Sequence, residues 1–217
     1  CVALMTLYEQ GRFQLTDPVA KFIPAFNDLK VLECDEKGEA KEVDLLRPPT
    51  VRSLLTHTSG LSYDFLEDYP VAELYRQAGI LNNAERTLEE MVNELSRLPL
   101  AFQPDSNWHY SLGIDVAARL IEIISGQALE KFFKGNIFDP LGMVDTGFSV
   151  APEEQHRIAA MYGLPDLCSP KMTMSKLFEA WSSGFNERID VSATYPASKS
   201  AAFARGGHGL FSTSWDY

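Results

Sequence analysis

Basic clusters are missing from this sequence. Its 19 Lys and Arg stand against 30 Asp and Glu, a formal net charge of −11, and no run of cations interrupts the acidity. A field of that sign repels phosphate backbones and anionic membrane surfaces, so no nucleic-acid partner is expected. Cysteine is scarce as well. Cys1, Cys34 and Cys168 lie far apart with no CxxC pair, which excludes a zinc ribbon or a dithiol redox motif. They fit a reducing compartment without excluding an oxidising one, so cytoplasm and periplasm both stay open. No apolar run approaches the length of a membrane span, and no signal peptide is visible. HExxH, GxSxG, GxGxxG and a P-loop lysine are all lacking. The four histidines, His57, His109, His156 and His208, show no metal-ligand spacing. No metal and no organic cofactor is expected.

What is present is an ordinary globular composition: 217 residues, 45% hydrophobic and 23% charged, enough to bury a core without disulfide staples. Val2, Met5 and Tyr8 recur at helical spacing, with Gly11 placed as a left-handed stop. Thr16-Asp17-Pro18 caps a short helix closed by Pro24. Residues 30 to 46 carry the turn signal Lys37-Gly38 and predict a hairpin. Pro48-Pro49-Thr50 opens a helix over VRSLLTHT that Gly60 ends. Residues 61 to 86 read as surface loop and a short helix. Thr87 and Glu90 make a capping box ahead of LEEMVNEL. The clearest helix is Ser111 to Ser125, with Leu112, Val116, Leu120 and Ile123 on one stripe and Gly126 as the stop. ALEKFFKG predicts a further helix and DTGFSV a strand. Residues 160 to 200 carry few signals.

Both ends read as cut. The helical pattern at Cys1 has no N-cap before it, and Ser212-Thr213-Ser214 reads as a cap followed by less than one turn. The expectation is an internal part of a longer protein.

The stretch FQPDSNWHYSLGID runs from Phe102 to Asp115. Tyr110 stands just before the helix, with Ser111 as its expected N-cap. Helix N-termini carry free N–H groups and a partial positive charge that favour an anion. A phenol there, beside a lysine ammonium, can serve as general base for a hydroxyl nucleophile. The alternative is that Trp108 and Tyr110 are amphipathic packing under a loop. His57 in LLTHTSGL reads as a structural group that satisfies helix-end carbonyls. Arg205-Gly206-Gly207-His208-Gly209 is a glycine-rich turn, built for close backbone approach or for tight entry into a buried strand.

Five stretches together resemble one family: 2–24, VRSLLTHTSGL (51–61), 102–126, IFDPLGMVDTGF (137–148) and RGGHGLFST (205–213). They are similar, in order, to the serine β-lactamase/penicillin-binding-protein superfamily, in its class C-like branch with the family VIII carboxylesterases. The resemblance implies an α+β fold of the β-lactamase/transpeptidase type: an antiparallel sheet flanked by helices plus a helical region, here incomplete at both ends. It divides the chain into 1–49, part of the α/β domain; 50–160, a helical region carrying the tyrosine motif; and 161–217, the return to the α/β domain.

The family's chemistry is acyl transfer by a Ser-x-x-Lys pair one helical turn apart, with a tyrosine completing the proton relay. Tyr110 matches that tyrosine. Trp108, Ser111, Leu112, Gly207 and His208 are the candidate pocket residues around it. Ser-x-x-Lys should lie upstream of Val2 and the third motif after Tyr217. No serine of this sequence has lysine three residues later; Thr173 and Lys176 have the spacing without the context. These 217 residues alone are therefore expected to be silent, and to leave apolar surface and strand edges bare. Tyr110-Ser111-Leu112 has leucine where class C β-lactamases carry asparagine, which resembles the carboxylesterases. The implied substrate is a small ester, with a lactam or D-amino-acid peptide as alternatives in the same fold, and a non-catalytic binding relative as a third reading. Residues 160 to 204 are expected to shape the acyl or alcohol pocket. Oligomeric state stays open.

Overall fold

The computed structural model describes residues 1–35, 37–81, 86–163, 172–183, 187–189 and 204–217. Helix α1 (Val2–Glu9) buries Ala3, Leu4 and Leu7 instead of the predicted Val2–Met5–Tyr8 stripe, and Val2 faces water. Its end is as expected: Gly11 takes φ 69°, and the Gly11 and Arg12 N–H groups donate to the Tyr8 and Leu7 carbonyls. Two 3₁₀ turns follow, Val19–Lys21 and Pro24–Asp28. Pro24 opens the second, contrary to the expectation that it closes the first. Proline costs nothing at a first position, where the N–H has no partner within the helix.

Strands β1 (Lys30–Cys34) and β2 (Ala40–Asp44) form the predicted antiparallel hairpin, in register from Lys30↔Asp44 to Cys34↔Ala40. Leu100 lies along β1, donating to the Lys30 carbonyl and accepting from the Leu32 N–H, both at 2.8 Å. That contact anchors the start of the 102–115 stretch.

Helix α2 (Val51–Leu55) begins on a reciprocal Thr50–Ser53 capping box. It is shorter than VRSLLTHT predicts, because His57 turns left-handed at φ 57°. The Thr58 N–H then donates to the Ser53 carbonyl and the His57 N–H to that of Leu54. This is a Schellman closure with His57 in the place usually taken by glycine. The following segment is not the surface loop expected. Ser59, Leu61, Ser62, Tyr63, Asp64 and Leu66 are all buried. Backbone bonds from the Ala101 N–H to Gly60 and from the Leu112 N–H to Ser62 satisfy its polar groups.

Helix α3 (Val71–Gln77) precedes α4 (Leu88–Leu95), whose Thr87–Glu90 capping box forms in both directions as predicted. The central element is α5 (Gly113–Ser125). It starts two residues later than predicted, and Leu112, not Ser111, is its N-cap, with no side-chain capping bond. Leu112, Val116 and Leu120 are buried as expected, but Ile124 replaces Ile123, which is 37% exposed. Gly126 ends the helix left-handed at φ 70°.

Helix α6 (Leu129–Phe133) continues through a π turn, Lys134–Phe138, into α7 (Asp139–Leu141). DTGFSV forms no strand; Gly147 makes an isolated antiparallel bridge to Phe211. Strand β3 (Met161–Gly163) pairs antiparallel with β4 (Glu187–Ile189), and α8 (Met174–Ser183) lies between them in sequence. Most of the segment expected to shape the pocket, 160 to 204, lies outside the described residues. Thr213 caps a single turn before Tyr217, as its sequence predicts. Among the described residues, no helix is long and apolar enough to cross a membrane.

Candidate active site

Tyr110 is delivered to its position by backbone bonds on both sides. The His109 N–H donates to the His57 carbonyl at 3.0 Å, and the Leu112 N–H donates to Ser62 at 3.4 Å. The loop is thus sewn to 57–62 before α5 begins. The Tyr110 residue is half-buried, with the His57 ring at 5.0 Å and the Tyr63 ring at 5.1 Å. Tyr63 in turn stacks on Phe65 at 4.9 Å. Trp108 is 49% exposed and meets His57 edge-on at 6.3 Å. The packing role weighed for Trp108 and Tyr110 is therefore real, and it leaves both rings partly open to solvent.

The other sequence-predicted residues separate into two groups. Ser111 is fully buried; its Oγ meets His57 Nδ1 at 3.1 Å and accepts from the Gly113 N–H at 3.4 Å. Leu112 is fully buried in the core and lines no open surface. Gly207 and His208 belong to a turn that rests on the first turn of α5. The Gly206 and Gly207 N–H groups donate to a single oxygen, Asp115 Oδ1, at 3.0 and 3.1 Å. A Cβ on Gly206 would lie 2.2 Å from the Ile114 carbonyl oxygen, and one on Gly207 would lie 3.3 Å from the Tyr63 hydroxyl. Close backbone approach is thus what these glycines provide, the first of the two alternatives. Tyr63 lies beside both Gly207 of this turn and Tyr110.

Four residues that sequence reasoning passed over complete the arrangement. His57 is not a cap on helix carbonyls: its ring packs on Tyr110 and bonds Ser111. Burial, and then the charge of His109, holds its imidazole below the ordinary range. Tyr63 carried no signal in a segment read as loop. His109 is buried at 3% exposure, with Nδ1 2.9 Å from the Tyr110 carbonyl oxygen. Asp115 is fully buried, and burial pushes its carboxyl up against the opposing pull of His208, the two glycine N–H groups and Arg205. Burial pushes His208 down. Asp115 did carry a signal, being an acid three residues from Leu112 on the apolar side of α5, where a carboxylate is kept only with partners. Among the described residues no three His, Cys, Asp or Glu side chains gather as a metal site.

The chain is similar to known proteins over its whole length. The family model "Beta-lactamase" matches residues 1–217. Lovastatin esterase of Penicillium rubens is 34% identical over 157 residues, covering 72% of this chain and 38% of the esterase. Esterase EstB of Burkholderia gladioli is 32% identical over 169 residues, 76% of this chain and 40% of EstB. The solved structure of EstCE1, "a hydrolase with promiscuous acyltransferase activity", superposes with a TM-score of 0.70 at 27% identity, over 99% of this chain and 52% of that one. The chain spans about half the length, or less, of the curated relatives it matches. Its fold is the α+β fold of the serine β-lactamases and penicillin-binding proteins, and the chain belongs to the beta-lactamase family.

Proposed function

We propose that these residues form the tyrosine-bearing part of a serine hydrolase that transfers the acyl group of a short ester to water. The observation that carries this is Tyr110, a half-buried phenol packed against His57 and Tyr63 just ahead of α5. In this reading Tyr110 takes the proton from a serine hydroxyl as the oxygen attacks the ester carbonyl, and returns it to the departing alkoxide. A lysine one turn after that serine lowers the cost of the phenolate. Both groups come from a Ser-x-x-Lys pair outside these 217 residues.

The esterase reading is favoured over β-lactamase or D-amino-acid peptidase by Leu112. Its side chain sits in the core and offers no amide to orient a lactam side chain or a peptide. Relatives named as esterases add support. Trp108, partly exposed beside Tyr110, supplies apolar surface for a small acyl or alcohol group.

The test is fluorophosphonate labelling of the natural gene product, with intact-mass measurement and kinetics on short p-nitrophenyl esters. One labelled serine in a Ser-x-x-Lys context is expected. Tyr110→Phe should then lower kcat by about 10²- to 10⁴-fold. These 217 residues alone should take no label, because losing the nucleophile costs on the order of a million-fold in turnover. A natural gene product without a labelled serine would leave a non-catalytic binding relative instead.

A further inference from the structure

Two buried side-chain polar atoms make no hydrogen bond among the described residues, Asp115 Oδ2 and His109 Nε2. The second faces a charge. His109 Nδ1 lies 2.9 Å from the Tyr110 carbonyl oxygen, which can only accept, so the Nδ1 hydrogen is committed to Tyr110. Nε2 points the other way, 3.5 Å from Asp68 Oδ2. A lone pair on Nε2 would be repelled by that carboxylate, whereas an N–H would be drawn to it. The ring has little freedom to turn elsewhere. Tyr69 packs edge-on at 5.0 Å and Phe102 lies at 6.5 Å.

Asp68 has a second partner. The same Oδ2 accepts from the Met174 N–H at 2.9 Å, at the first residue of α8. The neighbouring Glu67 N–H donates to the Met172 carbonyl at 2.7 Å, and Leu66 bridges to Met172 in parallel fashion. One carboxylate oxygen therefore stands between the start of α8 and the imidazole that grips the Tyr110 backbone. Nothing else in the segment 66–69 offers His109 a charge: Glu67 is paired with Arg76 at 3.0 Å.

We propose that Asp68 and His109 form a positioning pair for Tyr110. Asp68 holds the His109 ring so that Nδ1 fixes the Tyr110 carbonyl, and docking of α8 on the 66–68 segment sets where Asp68 stands. His109 and Asp68 do not touch substrate; they act through Tyr110, and the inference rests on Tyr110 being the catalytic base. A phenol misplaced by a fraction of an ångström loses the alignment on which proton transfer depends.

The test uses the natural gene product and four variants: Asp68→Asn, His109→Asn, their double, and Tyr110→Phe. Asp68→Asn keeps an acceptor for the Met174 N–H and removes only the charge. His109→Asn keeps a donor near the Nδ1 position and removes the arm that reaches Asp68. Each single variant should lower kcat about tenfold with KM unchanged, and the double should be no slower than either single. Additive losses, unaltered kcat, or a change confined to KM would overturn the pair. If Tyr110→Phe is itself as active as the parent, the base assignment fails instead, so the two failures are distinguishable. Thermal unfolding screens each variant for folding. Should His109→Asn not fold, Asp68→Asn decides alone: kcat lowered about tenfold at constant KM and parental Tm upholds the pair, and unchanged kcat overturns it.

Discussion

Replacing Asp115 by alanine and by asparagine separates the hydrogen-bonding role of this side chain from its charge. Asp115 Oδ1 accepts from the Gly206 and Gly207 N–H groups at 3.0 and 3.1 Å, in a position closed to water. Alanine takes away that acceptor from both donors. Gly206 is half-buried and Gly207 exposed, so the first donor bears most of the loss. At about 1–3 kcal/mol for an orphaned buried donor, and less for a wet one, Asp115→Ala costs about 2–3 kcal/mol. For a chain of this size that lowers Tm by about 5–10 °C. Asparagine offers a carbonyl oxygen to the same two N–H groups and places its NH₂ where Oδ2 makes no hydrogen bond among the described residues. Its cost is therefore below about 1 kcal/mol.

The pH dependence has a definite sign. Burial holds the Asp115 carboxyl above its ordinary 3.8 in the folded chain. Between the unfolded and folded values the native state binds more protons than the unfolded state, so stability falls as pH rises through that window. The contribution is complete below the unfolded value and gone above the folded one. The asparagine variant has no such proton, so its Tm relative to the parent should improve as pH rises. Thermal unfolding of the natural gene product and both variants, followed by circular dichroism across acidic to neutral pH, measures this. Equal losses for alanine and asparagine, or a parent–asparagine difference that ignores pH, would refute the reasoning.

Three further outcomes follow from the packing. Gly206→Ala forces a Cβ to 2.2 Å from the Ile114 carbonyl oxygen and 2.7 Å from Ala118 Cβ, and should destabilise by about 1–3 kcal/mol or more in chemical denaturation. Gly135→Ala meets nothing within 4 Å in a helical turn and should instead stabilise by about 0.5–1 kcal/mol; loss there would show that the free space is not usable. His57 sits below its ordinary 6.5 through burial and the charge of His109, so the folded state binds fewer protons than the unfolded one. Stability from this group is present above about pH 6.5 and lost as pH falls through the folded value. His57→Phe should flatten the acid side of the Tm-against-pH curve, and an acid slope identical to the parent's would count against this.

Local chemistry made much of the scaffold legible. The Thr87–Glu90 capping box, the Lys37-Gly38 hairpin turn, and the stops at Gly11 and Gly126 each depend on residues a few positions apart, and each formed as read. Errors arose where distant packing chose between local options. Val2, Met5 and Tyr8 share one face of α1 as well as Ala3, Leu4 and Leu7 share another, and contact with the core selected the second. Ile123 and Ile124 are equally apolar, but only Ile124 faces inward. Segment 60–66 has no periodicity to announce burial, and the partners of its Gly60 and Ser62 carbonyls, the Ala101 and Leu112 N–H groups, lie far along the chain.

The candidate site was read in the sequence at Tyr110, its neighbours Trp108, Ser111 and Leu112, and the turn at Gly207 and His208, but not at His57, Tyr63, His109 or Asp115, and the reason lies in how α5 begins. Three segments, 54–63, 108–115 and 204–208, converge on its first turn, and each approaches backbone to backbone. A Cβ on Gly113 would lie 2.6 Å from the Leu54 carbonyl oxygen, just as one on Gly206 would strike the carbonyl of Ile114. Glycine at both crossings lets α2 and the glycine-rich turn close on α5 from two directions. His57, at the end of α2, and Tyr63, a few residues on, then both reach the Tyr110 ring, and Asp115 meets the turn. No residue in this set is at helix or strand spacing from Tyr110 in a way that periodicity could detect. What the sequence does show is Gly113, inside the start of an amphipathic helix with no stop to explain it, and a glycine-rich turn beside Arg205. Glycines so placed, with a buried acid two residues after the first, point to a place where distant backbones touch, and here that place carries the catalytic phenol we propose.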